Sequence, residues 1–188
     1  MAKVVVTPEQ FSFVNFDAAR VAELTSKIAD KVGLPADAEV RIEIDEGSPL
    51  GRTRLASLDP ITITVEGGAF ENAKVPRSLS DASVIDVVGR LLFRAKDRLS
   101  PGFADAPDDS DLTLQQHTAW DTYAVGRCDR AGWAPARKRR IYHFRNRHGF
   151  TDVADGVFER LWNADGLTWA DIEAACAETD AARVPAGG

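Results

Sequence analysis

Stretches with a two-residue hydrophobic period occur in this chain only before Pro76, beside one stretch of helical spacing, and after Pro76 the period is between three and four throughout. Such a switch demands a sheet and a helical layer in one molecule. On the early side, Val40, Ile42 and Ile44 alternate with Glu39, Arg41, Glu43 and Asp45. Ile61, Ile63 and Val65 likewise alternate with Thr62, Thr64 and Glu66. Both stretches predict strands with one buried and one solvated face. The opening KVVVT and the FSFV segment at 11–14 are weaker strand candidates, and GSPLGRTRLASLDP at 47–60 reads as a loop from its Gly, Pro and Ser. A helix capped by Asn15 or Asp17 is expected to carry Val21, Leu24, Ile28 and Val32, with Gly33 at its exit.

After Pro76 the spacing is helical. Ser80 caps a helix with Val84, Val88, Leu91, Leu92, Ala95 and Leu99 on one side, and SPGFADAPDDSD at 100–111 is an acidic loop. A second helix runs from Leu112 to about Arg130 and buries parts of Leu114, Ala119, Trp120, Tyr123 and Ala124. A helical hairpin closes the chain: Thr151 or Asp152 starts one arm, NADGL makes the turn, and Thr168 with Asp171 forms a capping box for the other. The tail DAARVPAGG is expected to fray. The fold class is therefore α+β, with a small N-terminal antiparallel or mixed sheet with helices followed by a mostly helical C-terminal half. A chain of 188 residues fits one domain over 1–188, the alternative being a subdivision into an α+β part, 1–105, and a helical part, 106–180.

Charge singles out one segment. RKRRIYHFRNRH, from Arg137 to His148, holds six Arg or Lys residues, two of the three histidines and no acid. The whole chain has 23 basic and 29 acidic residues, net −6; without this segment 17 basic residues face 29 acidic ones, net −12. A block opposing the charge of everything around it calls for an anionic surface opposite, internal or foreign. Gly149 ends it as a helix C-cap. The candidate partner-binding residues are Arg137, Lys138, Arg139, Arg140, Tyr142, His143, Arg145, Arg147 and His148. The plainer reading is a solvated helix face, and the missing acids weigh against it. The Asp105–Asp111 loop is one internal candidate for the opposing charge.

Other chemistry is sparse. His143 and His148, five apart, cannot grip one metal from a single helix or strand. No HExxH, CxxC, GxSxG or GxxxxGK[ST] occurs, and the aspartates of 105–111 lack the order of a calcium loop. No metal and no cofactor is expected. His117 stands one turn before Asp121, the arrangement of a general base with its orienting carboxylate, though isolated i,i+4 pairs are common helix features. Arg90, Arg94 and Arg98 form a row that reads as a solvated face, with Asp86 in reach of Arg90 and Asp97 of Arg94. Arg127 and Arg130, near the basic segment in sequence, could converge with it on phosphates or carboxylates. Cys128 and Cys176 make no disulfide framework, and MAKVVVTPEQ lacks the apolar core of a secretory signal, so the expected location is cytoplasmic.

The phrases GRLLFRAKDRLSPGFADAP, AWDTYAVGR and YHFRNRHGFTDVADGVFERLW followed by LTWADIEAA resemble an uncharacterised protein family of high-GC Gram-positive bacteria, from about Ile61 onward. That resemblance implies no activity and transfers no functional residue. The helix–strand–strand–helix order of the first half is similar to zincin-like domains. Where such a domain bears HExxH, this chain has VIDVVGRLLFRAKD, without His or Glu, so the likeness implies topology without the metal site.

The expected function is a non-enzymatic cytoplasmic binding or adaptor protein, using the basic aromatic surface 137–148 for a protein or an anionic ligand. The alternative is a hydrolase or transferase acting on an anionic small molecule with His117 as base. Nucleic-acid binding through the same surface ranks third, because the rest of the chain is acidic. No membrane partner is expected, and the sequence leaves oligomeric state open.

Overall fold

Four strands form a mixed sheet in the order β1-β2-β4-β3, as seen in a computed structural model that describes residues 1–183. β1 (Lys3–Thr7) and β2 (Glu39–Asp45) pair in parallel, as do β2 and β4 (Ile61–Glu66); β3 (Thr53–Leu58) lies antiparallel to β4 at one edge. The crossover from β1 to β2 is α1 (Ala18–Val32). Asp17 caps it by accepting from the Ala19 and Arg20 amides, and Gly33 ends it in the left-handed region at φ 79°. Its stripe Val21, Leu24, Ile28 and Val32 is buried, as are Val40, Ile42, Ile44, Ile61, Ile63 and Val65 of the sheet. In-register neighbours share a face, so Thr7, Glu43, Thr64 and Arg54 form a row across the opposite, open face.

Two expectations fail in this half. FSFV is not a strand; it lies in the loop after β1, where Phe11 packs edge-on against Phe16 at 5.5 Å. The stretch expected to be a loop at 47–60 contains β3. A register shift between Leu55 and Ser57 breaks the alternation of β3, and among its residues only Leu55 is buried. Gly68 marks a close approach, since a Cβ there would fall 2.1 Å from the Pro49 carbonyl oxygen.

The helices are α2 (Asp81–Arg98), α3 (Leu114–Arg130), α4 (Arg137–His148), α5 (Asp152–Asn163) and α6 (Trp169–Ala181). The chain divides into two compact units, the first ending at Lys96 and the second beginning at Asp97, inside the last turn of α2. In the second unit Phe103, Trp120, Tyr123, Phe144, Phe158, Leu161, Trp162, Trp169 and Ile172 form one buried cluster. Gly126 lets α3 lie directly on α5: a Cβ there would sit 2.0 Å from the Trp162 carbonyl oxygen.

Caps explain several ends. Ser80 Oγ accepts from the Ser83 amide at the start of α2. Thr113 caps α3 in a capping box with Gln116. The Thr168–Asp171 box starts α6, with the Thr168 amide 2.7 Å from the Asp171 carboxylate. Leu99 and Leu114, expected inside, are 53% and 62% exposed because α2 stops at Arg98 and α3 begins only at Leu114. Of the tail expected to fray, Asp180 and Ala181 belong to α6, and 184–188 lie outside the described residues. No helix among the described residues is long and apolar enough to cross a membrane.

Candidate functional site

α4 is a helix that the backbone alone would not favour. Four bases, Arg137 to Arg140, crowd its N-terminal turn, where the helix dipole already presents positive charge, and no side chain caps it. Its hold on the second unit comes from one stripe. Phe144 and His148 are fully buried and Ile141 packs against the core cluster. Phe144 stacks on His148 at 4.0 Å and meets Phe158 edge-on at 5.6 Å.

The nine candidate residues divide by which way they face. His148 leaves the surface entirely. Its Nδ1 lies 2.8 Å from Thr179 Oγ1 and its Nε2 3.1 Å from the Gln115 carbonyl oxygen, which joins the end of α4 to α6 and α3. Burial pulls its pKa down to about 4, so the ring is neutral near pH 7. Arg137 and Arg145 are occupied by α5. Arg145 makes two bonds of 2.7 Å to the Asp155 carboxylate, which hold that carboxyl below its ordinary range. Arg137 pairs with Glu159, its guanidinium 5.5 Å from the Trp162 ring. Arg140 and Arg147 are half-buried.

Lys138, Arg139, Tyr142 and His143 point outward, and Asn146 continues their stripe. Neither Lys138 nor Arg139 has an acidic partner among the described residues. One member escaped sequence reasoning. Phe150, just past the helix, is 65% exposed and lies edge-on to Tyr142, itself 59% exposed, at 6.1 Å. Val153, in the first turn of α5, is 40% exposed. A hydrophobic residue after a C-cap glycine usually folds back onto its helix. Gly149 instead takes φ 101° and ψ 158°, outside the left-handed cap conformation, and Phe150 stays out in solvent. The sequence shows a Phe directly after a C-cap glycine but carries no signal for which way it turns.

The other candidates are structural. Arg127 does not converge on α4. It grips the Asp97 carboxylate with two bonds of 2.6 and 2.7 Å and lies 3.8 Å over the Tyr123 ring. Trp120 Nε1 donates to the same carboxylate at 2.8 Å. Arg130 donates to the Trp162 and Ala164 carbonyls and to Asp165. The row Arg90, Arg94 and Arg98 is no solvated face. Arg90 and Arg94 are buried, Arg90 donating to Thr53 Oγ1 at 3.1 Å, and Arg98 pairs with Asp109 of the acidic loop. Asp155 and Glu159 of α5 thus supply negative charge to α4, and Asp109 of the acidic loop pairs with Arg98.

His117 Nδ1 stands 3.6 Å from Asp121 Oδ2, too far for a hydrogen bond, with 44% of its side chain exposed. Cys128 and Cys176 are free and buried, and burial pushes the Cys176 thiol up to about 12, far from a reactive thiolate. No group of three or more metal-ligating side chains occurs among the described residues. Comparison with protein-family models, curated proteins and solved structures finds no match to this chain.

Proposed function

We propose that this chain is a cytoplasmic binding protein that captures an acidic segment of another protein on the outer face of α4. The observation that carries the reading is an exposed aromatic pair, Tyr142 and Phe150, beside two exposed cations, Lys138 and Arg139, that have no acidic partner among the described residues. Large apolar groups left together in water mark interaction sites, and Tyr is among the residues enriched at binding hot spots. The cations select an acidic partner and speed its encounter. Two open cations are few for a phosphate backbone, which is held through many basic contacts, so a protein segment suits the face better than nucleic acid. Arg137 and Arg145 serve as the frame. By pairing with Glu159 and Asp155 they fix α4 on α5 and leave the outward stripe free.

The test is a peptide-display selection against the whole protein, repeated with a Lys138→Glu/Arg139→Glu variant. The expected winners carry an apolar anchor flanked by Asp or Glu and vanish with the variant. No enrichment, or the same winners from both proteins, would overturn the proposal.

A further inference from the structure

The open face of the sheet holds a concavity built from residues of the first unit alone. It lies toward the carboxyl ends of β1, β2 and β4 and has a volume of about 710 Å³, within the usual range of small-molecule sites. Ligands of open α/β sheets gather at this end of parallel strands. Three acids line it, Glu43 and Asp45 on β2 and Glu66 on β4, with Arg54 on β3 and Arg52 just before it. Thr7 and Thr64, in register with Glu43 on the open face, add hydroxyl-bearing side chains to the lining, whereas Thr53 accepts from Arg90.

The two ends of this face handle charge differently. At the amino end of β2, Glu39 is neutralised by Lys3 at 2.9 Å and Arg41 at 2.7 Å, a closed cluster. At the carboxyl end none of the five charged groups pairs with another side chain among the described residues. Among the described residues the Asp45 carboxylate accepts only from the Gly47 amide and the Glu66 carboxylate only from the Arg52 amide. Asp45 and Glu66 stand directly opposite each other in the parallel register, a like-charge pair that weakens a sheet. Two guanidinia lie along the β3 edge of the same hollow. Opposite charges are thus held around one concavity without cancelling, at a cost to the sheet, which is the arrangement a ligand bearing both signs would complete.

We propose that this concavity binds a free dibasic amino acid, its carboxylate on Arg52 and Arg54 and its two cationic groups on Glu43, Asp45 and Glu66. Three carboxylates against two guanidinia leave the lining at −1, and one carboxylate with two cations makes a ligand of +1. A planar guanidinium fork matches the carboxylate. The carboxylates take the ammonium or guanidinium groups, and the threonine hydroxyls serve the remaining polar hydrogens.

The experiment is titration of the ¹⁵N-labelled full chain with L-lysine and L-arginine. Cadaverine (no carboxylate), glutarate (no cation) and the tripeptide Ala-Ala-Lys run in parallel. The expected result is saturable shifts at the amides of Thr7, Glu43 and Thr64 with both amino acids, and affinities about tenfold weaker for cadaverine and glutarate. Arg54→Gln should weaken lysine about tenfold and leave cadaverine unchanged, whereas Glu43→Gln should weaken both. Both positions are exposed, so the variants should keep the wild-type melting temperature. Lys138→Glu/Arg139→Glu should bind lysine normally, which separates this site from α4. Absence of shifts, cadaverine binding as tightly as lysine, or indifference to both variants would overturn the proposal. Tighter binding of the tripeptide would overturn the free amino acid in favour of a peptide terminus.

Discussion

Acid should unlock the second unit through His148. The ring is fully buried between Thr179 and the Gln115 carbonyl, and burial pulls its pKa from 6.5 to about 4. In the unfolded chain it returns to its ordinary value, so between these limits the unfolded state binds the extra proton and stability falls as pH falls. The contribution is fully present above about 6.5 and is lost progressively toward pH 4. The full shift amounts to about 3 kcal/mol at 1.36 kcal/mol per unit. Lowering the pH from about 7 to about 5 covers about 2 kcal/mol of it. All four tryptophans lie at position 120 or later, so their fluorescence during urea unfolding reports this unit. The carboxylates held low by ion pairs, Asp155 among them, lose stability only at lower pH, as the solution becomes acid enough to protonate them. His148→Gln removes the titration and should flatten the profile between pH 7 and 5. A wild-type profile that is flat there, or an equal loss in His148→Gln, would refute the reasoning.

Further consequences concern the scaffold beneath α4. Gly126→Ala should destabilise the second unit by about 3 kcal/mol or more, since its Cβ would fall 2.0 Å from the Trp162 carbonyl oxygen and backbone must move; a urea midpoint close to wild type would contradict this. Asp97→Ala strands the Arg127 guanidinium and the Trp120 N–H, and should cost about 3–5 kcal/mol in the same assay. Arg145→Ala removes a pair that is about one-third exposed and should cost at most about 1 kcal/mol.

Much of the architecture can be read from periodicity and caps. β2 and β4 alternate cleanly, and Asp17, Ser80, Thr151 and Thr168 stand where helices begin. β3 is hidden because its register shift leaves Leu55 as its single buried residue, and a strand with one apolar contact has no period to detect. The burial of Arg90 and Arg94 is equally opaque, since a charged row with acids three or four residues away has the same pattern on a surface as in an interior. In α4 the basic block is obvious, but its sorting is not. Bases fall all round the helix, and only Ile141, Phe144 and His148 mark the inner side. His148 then turns inward because Thr179 and Gln115, 31 and 33 residues away in sequence, satisfy its ring nitrogens. Phe150 turns outward because of the backbone conformation at Gly149, which sequence does not reveal.

On the outer face of α4 the aromatic pair, rather than charge alone, is expected to hold the partner. The most direct measurement is the affinity of a display-selected acidic peptide for the wild type and for Tyr142→Ala/Phe150→Ala, which keeps every charge. Exposed hot-spot aromatics contribute about 2 kcal/mol each when truncated, so affinity should fall by at least about tenfold, with the melting temperature unchanged. Unaltered affinity in the double variant would show that the aromatic pair is not the contact, and would contradict the account.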